Sequence, residues 1–216
     1  MGRIKNPSKR AFFLSFFLLC STLIQAGQIR ESFNFALLSN YLWRGQSLSD
    51  QQAAVQGGAT LFHSMGLYGG AWTSNFSDGS EIDLYFGHQF SPSLLPKIIS
   101  HMDLRLTLYQ FPMSTRNNFT ELSLSLDLWG LDVAFIYFNK FFAYETTGEY
   151  LSIGRKIFLE PQIGYLFFEK DNVENYIHYD LALKKIYLET EFALTLSLSN
   201  KAENEILSSF SIMKNF

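Results

Sequence analysis

The residues of this chain that could do chemistry are mostly carboxylates, and they recur at every second position of alternating segments. Asp83, Asp103, Glu121, Asp127, Asp132, Asp180, Glu189 and Glu191 hold the polar phase of such segments. Arg44 and Arg105 hold the same phase, Lys140 and Lys156 stand at segment ends, and Tyr85 and His178 share phase with Asp83 and Asp180. In a strand, alternation sends these side chains to one face. Rolled into a closed barrel, that face becomes a lumen in which carboxylates outnumber bases, which lowers the barrier for positive charge. The chemistry expected is passage of small solutes or ions, with cations preferred. The alternative is a blocked interior in which the same carboxylates pair with Arg, Lys, Tyr and Ser.

Catalysis finds less support. A lipid hydrolase or deacylase needs a Ser activated by His with a third group to orient it. The four histidines are His63 and His101 in or beside turns, His178 on the polar phase, and His88 on the apolar phase of Phe86 and Phe90 near a rim. No Ser is tied to His88 by a recognisable spacing, so no catalytic residues are expected. There is no phosphate-binding glycine loop, no metal-spaced His or Cys cluster and no basic stripe. No cofactor, no metal and no nucleic-acid partner are therefore expected.

These residues sit in a chain of 216 residues that is 47% hydrophobic and 17% aromatic, with formal charge −3. Its mean hydropathy is only +0.03. Large apolar residues are thus interleaved with polar ones rather than blocked. Leu122, Leu124, Leu126 and Leu128 alternate with Glu121, Ser123, Ser125 and Asp127, and Leu104, Leu106 and Leu108 alternate with Asp103, Arg105 and Thr107. The period of two argues strands almost everywhere past Arg30. The spacing predicts twelve, over 32–44, 53–62, 66–75, 81–90, 101–111, 119–129, 131–140, 148–156, 161–169, 174–183, 186–198 and 204–216. The short breaks His63–Met65, Gly130 and Lys184–Lys185 fall on one side, whereas the longer connections fall on the other. Segment 91–100 is an exception on the short side.

The first residues read differently. Arg3, Lys5, Lys9 and Arg10 precede the apolar stretch Ala11–Ile24, which is too short to span a bilayer, and Ala26 offers a cleavage point. Residues 1–26 are expected to be a cleaved signal peptide that carries away the sole cysteine, Cys20. Residues 27–216 are expected to be one β-barrel domain.

A soluble barrel would turn the apolar face inward; a membrane barrel turns it outward. Uniformly long strands favour the second. So do aromatics near strand ends (Tyr41, Trp43, Trp129, Tyr137 and Phe138), read as interfacial girdles. The last segment ends on Phe216, in phase with Ile206, Phe210 and Ile212, and resembles the signal read by outer-membrane assembly machinery. The fold expected is all-β: a transmembrane, antiparallel, up-and-down barrel in the outer membrane of a Gram-negative bacterium. Its partners would be outer-membrane lipid, the assembly machinery and small solutes or ions. A soluble periplasmic barrel carrying an apolar ligand is the remaining alternative.

Several segments resemble the bacterial family called Gcw_chp, also described as TorF-like porins. Ser39-Asn40-Tyr41-Leu42-Trp43-Arg44-Gly45 is similar to its first-strand signature, and Gln56-Gly57-Gly58 to the second-strand element. Gly66 to Asn75, with Tyr68, Gly70, Trp72 and Ser74, resembles the third, and Glu81 to Gly87, with Asp83 and Tyr85, the fourth. The resemblance is specific over 39–87 and thins beyond about residue 155. It implies an outer-membrane barrel of porin type and supplies no catalytic residues. Physically, the glycines leave room for rings such as Tyr68, Trp72 and Tyr85. Arg44, in phase with Asn34 and Asn40, is expected to point inward from the first strand, which permits an Arg44–Asp83 pair.

Overall fold

The computed structural model describes residues 27–92, 98–140, 146–156, 158–170, 173–201 and 205–216. The proposed signal peptide lies outside the described residues.

The alternating segments form strands, and the strands close. In chain order they are β1 (Ile29–Leu38), the two-residue β2 (Leu42–Trp43) and β3 (Gln46–Ser47), β4 (Ala54–His63), β5 (Leu67–Phe76), β6 (Gly79–Phe90), β7 (Ile99–Gln110), β8 (Phe119–Leu128), β9 (Leu131–Phe138), β10 (Gly148–Gly154), β11 (Leu159–Phe168), β12 (Tyr176–Tyr187), β13 (Thr190–Ser199) and β14 (Ile206–Asn215). β1 and β4 to β14 make one closed barrel, each antiparallel to its sequence neighbours, while β2 and β3 pair only with each other. β14 closes on β1 in the register Asn34↔Asn215 to Leu38↔Ser211. Phe33 and Phe216 then exchange both backbone hydrogen bonds, at 3.1 and 2.8 Å. Closure leaves no strand edge, so every wall strand has ladder partners on both sides.

The alternation resolves into an outer apolar face and an inner mixed one. Phe33, Phe35, Leu37, Leu84, Phe86, Leu104, Leu106, Leu122, Phe135, Leu194 and Leu196 are exposed on the outside. Their strand neighbours Glu81, Thr107, Glu121, Ser152, His178 and Ser197 are buried inside. This inverts the arrangement of a soluble barrel.

The two ends differ. At the turn end, which carries Ile29 and Phe216, strands are joined by tight turns such as Trp129-Gly130 and Leu188-Glu189, all four residues at positive φ. That is the pattern of two-residue type I′ hairpins. At the loop end the connections are longer, apart from Ser77-Asp78 between β5 and β6.

Three expectations need correction. The first strand stops at Leu38 instead of running to 44, because Ser39 onward bends into the barrel. The turn expected at Lys184–Lys185 lies at Leu188-Glu189. There the backbone takes φ 47° and 59°, so β12 continues through the lysines and Glu189 is a turn residue rather than a lining one. Finally, Tyr41, Trp43 and Phe138 are not girdle residues. Tyr41 and Phe138 are buried in the barrel and Trp43 lines its cavity, while Trp129 and Tyr137 are exposed. The long inner connection falls partly outside the described residues.

Candidate functional site: a barrel constricted by its first loop

Segment 39–53 leaves β1, folds back into the barrel and forms the β2–β3 hairpin. Its two-residue turn is Arg44-Gly45, at φ 48° and 76°. A side chain at Gly45 would have its Cβ 2.5 Å from the His178 Cβ on β12, so the turn lies directly against the inner wall there. Glycine is required there both by its positive φ and by the approach.

The segment is anchored at its entry, its tip and its exit. On entry, Ser39 N donates to Phe210 O at 2.8 Å and Ser39 Oγ accepts from Phe210 N at 2.9 Å. Asn40 Nδ2 donates to Ser208 O at 3.1 Å, and Ser209 Oγ donates to Asn40 O at 2.5 Å. Tyr41 OH donates to Glu81 Oε2 on β6 at 3.1 Å. At the tip, Arg44 clasps Glu121 on β8 through Nη1–Oε1 at 2.6 Å and Nη2–Oε2 at 2.9 Å. The guanidinium is also stacked between Trp43 and Tyr150, 4.1 and 4.5 Å from their ring centres. Gln46 Nε2 donates to Tyr176 OH on β12. On exit, Asn75 of β5 accepts from Val55 N at 2.6 Å and donates to Ala53 O at 3.2 Å. The segment therefore crosses the lumen and is tied to β14, β5, β6, β8 and β12.

Around it the loop half of the barrel is packed like a protein core. Phe76, Phe111, Phe119, Phe138, Leu166, Phe168 and Tyr176 point inward and bury against Tyr41 and Leu48 of the segment. Phe138 and Leu166 are fully inaccessible. Rings interlock there, with Tyr109 stacked on Phe119 at 4.3 Å and Phe76 edge-on to Phe111 at 5.7 Å. A polar chain runs through the packing on β10, β12 and β13. Tyr150 OH and His178 Nε2 are 3.1 Å apart, His178 Nδ1 lies 3.1 Å from Asp180 Oδ2, and Ser197 Oγ donates to Asp180.

The turn half is open. Beneath Tyr41 and Trp43 lies a cavity of about 310 Å³ bounded by Trp72, Asp83, Tyr85 and Tyr109. A second, of about 520 Å³, opens at the turn end between Gln89, Asp103, Arg105, Asp127, Asp132 and Lys156. Gln89 and Arg105 border both. Arg105 spans the junction: Nε donates to Tyr68 OH at 2.8 Å, Tyr68 OH donates to Asp103 Oδ1 at 2.6 Å, and Nη2 meets Asp103 Oδ2 at 3.5 Å. Nearer the rim, Lys156 pairs with Asp132 at 2.9 Å, and Lys184 bridges Glu160 and Glu191 at 3.0 and 3.6 Å.

The glycines explain how large rings fit the wall. Gly58 faces Trp72, Gly70 faces Tyr85 and Gly87 faces Tyr68 as direct cross-strand partners. A Cβ at Gly87 would lie 2.3 Å from Tyr68 Cζ, and one at Gly70 would lie 2.6 Å from the Tyr85 hydroxyl. Each ring lies flat over a bare backbone, a device that also fixes register.

Outside the wall, Asp78 in the β5–β6 turn pairs with Arg116 at 3.3 Å and accepts from Ser114 Oγ at 2.9 Å. Slight burial pushes its carboxyl up, but the Ser114 hydrogen bond and the Arg116 charge outweigh this and hold it below its ordinary value.

Most of the expected lining residues do face inward: Asp83, Tyr85, Asp103, Arg105, Glu121, Asp127, Asp132, His178, Asp180 and Glu191 share faces by register. Arg44 reaches the lumen from the loop rather than the wall, and its partner is Glu121, not Asp83. Glu81, Tyr150, Tyr176 and Glu160 were not among the expected site residues. Phase alone could have found Glu81, which sits two positions before Asp83. Among the described residues, no cluster of His, Cys, Asp and Glu could hold a metal ion.

A family model described as "Bacterial protein of unknown function (Gcw_chp)" matches residues 25–184. The chain belongs to the Gcw_chp family. Its first signature, from Ser39 to Gly45, is thus the inward-folded constriction and not a wall strand. The solved structure titled "KdgM porin" is similar at TM-score 0.55 and 8% identity, covering 86% of this chain and 98% of its own. A second, titled "KdgM porin in complex with disordered oligogalacturonate", has TM-score 0.54 and 7% identity, covering 86% and 97%. At such identities the likeness concerns the fold. A search of the curated proteins finds no match.

Proposed function

We propose that this protein is an outer-membrane channel for passive diffusion of small solutes or ions, preferring cations, with segment 39–53 as its narrow point. The observation that carries this reading is the loop held inside a closed barrel whose outer face is apolar and whose inner face is charged. A barrel with such an exterior is stable only where lipid covers it. In the membrane, the turn end with Phe216 would face the periplasm and the longer connections the outside.

Cation preference follows from charge arithmetic along the path. Glu81, Asp83, Asp103, Glu121, Asp127, Asp132, Glu160, Asp180 and Glu191 face the interior of the described barrel, against Arg44, Arg105, Lys184 and, at the rim, Arg30 and the pair-former Lys156. Such a lumen disfavours an acidic saccharide like the one named with KdgM. A second reading, a barrel that does not conduct, draws support from the packed loop half. The array around His178 gives no grounds for a lipid hydrolase, since its Ser197 donates to Asp180 and not to the imidazole.

The test has two arms. Membrane fractionation and gel mobility with and without boiling should give a detergent-dependent, heat-modifiable species; a protein soluble without detergent contradicts the membrane reading. Reversal potentials across a planar bilayer under a KCl gradient should carry the sign of cation preference, and anion preference contradicts the selectivity.

A further inference from the structure

The interior carboxylates differ in how they are satisfied. Glu121 receives both Arg44 nitrogens and, at 2.9 Å, the hydroxyl of Tyr109. Glu81 receives Tyr41, and Asp103 receives Tyr68 and Arg105. Asp83 stands apart: its Oδ1 is buried and has no hydrogen-bond partner among the described residues. Both arginines nearby are committed elsewhere, Glu121 adds to the negative potential, and Glu81, which hydrogen-bonds the Asp83 carboxyl with its own, brings no positive charge. An ionised carboxylate so placed lacks the compensation that a buried charge needs.

What surrounds Asp83 is aromatic. Its direct cross-strand partners are Trp72 on β5 and Tyr109 on β7, Tyr85 follows two residues along β6, and Tyr41 reaches over from the loop. Tyr41 and Trp72 meet edge to face at 5.9 Å. The tyrosine hydroxyls are spent on Glu81, Glu121 and, for Tyr85, on Thr60 at 2.6 Å, so none is turned to Asp83. The rings present faces and edges to the cavity of about 310 Å³, which Asp83 also lines. The same interior already uses its rings for cations, since Arg105 lies 5.4 and 5.3 Å from the Tyr68 and Tyr85 centres. An aromatic box with a carboxylate in its wall is the arrangement that recognises a quaternary ammonium, which has no N–H protons to donate and gains from ring faces and net charge. Inorganic cations keep tighter hydration and gain less from rings, whereas a neutral sugar would leave the carboxylate charge unmet.

We propose that the Asp83 cavity binds a small quaternary ammonium cation, held by Asp83 and by the rings of Trp72, Tyr41 and Tyr109. The site deepens the channel reading by naming a solute class for the path below the constriction, and its test does not depend on conduction. Choline is titrated by isothermal calorimetry into detergent-folded protein in NaCl buffer, with 3,3-dimethylbutan-1-ol as the uncharged isostere. Saturable choline binding is expected, with at least about tenfold weaker binding of the neutral analogue. Asp83→Asn and Trp72→Leu should each weaken choline binding about tenfold or more, whereas Glu149→Gln on the outer face should leave it unchanged. Heat-modifiable mobility of each variant reports folding. If Trp72→Leu fails to fold, the choline-to-isostere ratio in wild type and Asp83→Asn still decides. Equal binding of choline and its neutral analogue, absence of choline binding, or undiminished binding by folded Asp83→Asn overturns the proposal. Choline binding without any bilayer conductance would uphold the site and count against the channel.

Discussion

The two halves of the barrel interior are built from the same alternating strands yet solve opposite problems. In the loop half, inward positions carry Phe76, Phe111, Phe119, Phe138, Leu166 and Phe168, and the folded-in segment completes a core around them. In the turn half, inward positions carry Asp103, Arg105, Asp127, Asp132 and Lys156, and space remains. A polar face toward water needs no filling, whereas an apolar inward face must be covered, and the chain covers it with its own loop. Packing is thereby concentrated at one end and open space at the other, with Arg44 and Glu121 at the boundary.

Perturbations of the two halves should separate accordingly. The largest effect is expected from Arg44→Ala, which leaves Glu121 buried without its counter-charge and should destabilise the folded barrel by about 3–5 kcal/mol, read by urea unfolding in detergent. The mirror change in the open half, Lys156→Ala, removes an exposed ion pair with Asp132 and should cost under about 1 kcal/mol. Comparable losses would erase the contrast.

Phe138→Ala comes next or ties. It empties a fully buried ring position and should cost about 3–5 kcal/mol, whereas Gln89→Ala beside the open cavities should change stability by no more than about 0.5 kcal/mol. Gly87→Ala is smaller: the new Cβ meets the Tyr68 ring, and forcing that ring aside should cost about 1–3 kcal/mol and disturb the Tyr68–Arg105–Asp103 junction.

The smallest effect concerns the rim. Because the Asp78 carboxyl is held below its ordinary value, its pairing with Arg116 and Ser114 contributes at pH values above the usual carboxylate range. That contribution is lost as pH falls through the depressed value. Asp78→Asn should flatten the acid limb of the stability profile slightly and leave the neutral-pH value within about 1 kcal/mol.

Much of this contrast was legible in the sequence, and the limits are physical. Period-two alternation located the wall strands, because burial on one face is what the alternation encodes, and it placed Asp83, Asp103, Arg105 and Glu121 inward. It failed where alternation persisted without a wall. Asn40, Leu42 and Arg44 continue the phase of β1, so the segment reads as strand; only the Arg44-Gly45 step, a two-residue turn with both φ positive, marks the hairpin. Lys184-Lys185 read as a turn because paired lysines are polar. In the barrel, Lys184 instead finds Glu160 and Glu191 on the adjacent strands β11 and β13, cross-strand partners that the local sequence does not display. Phe138 read as a girdle ring because an aromatic near a strand end looks alike from either face; Gly148, its cross-strand partner, is the cue that it lies inside.

Single-channel recording of wild type beside Arg44→Ala tests the central claim most directly. If segment 39–53 is the constriction of a conducting path, wild type should show a small cation-preferring conductance, and releasing the Arg44–Glu121 clasp should raise it several-fold without reversing the preference. Equal conductance in the two proteins, or none in either, would contradict the account.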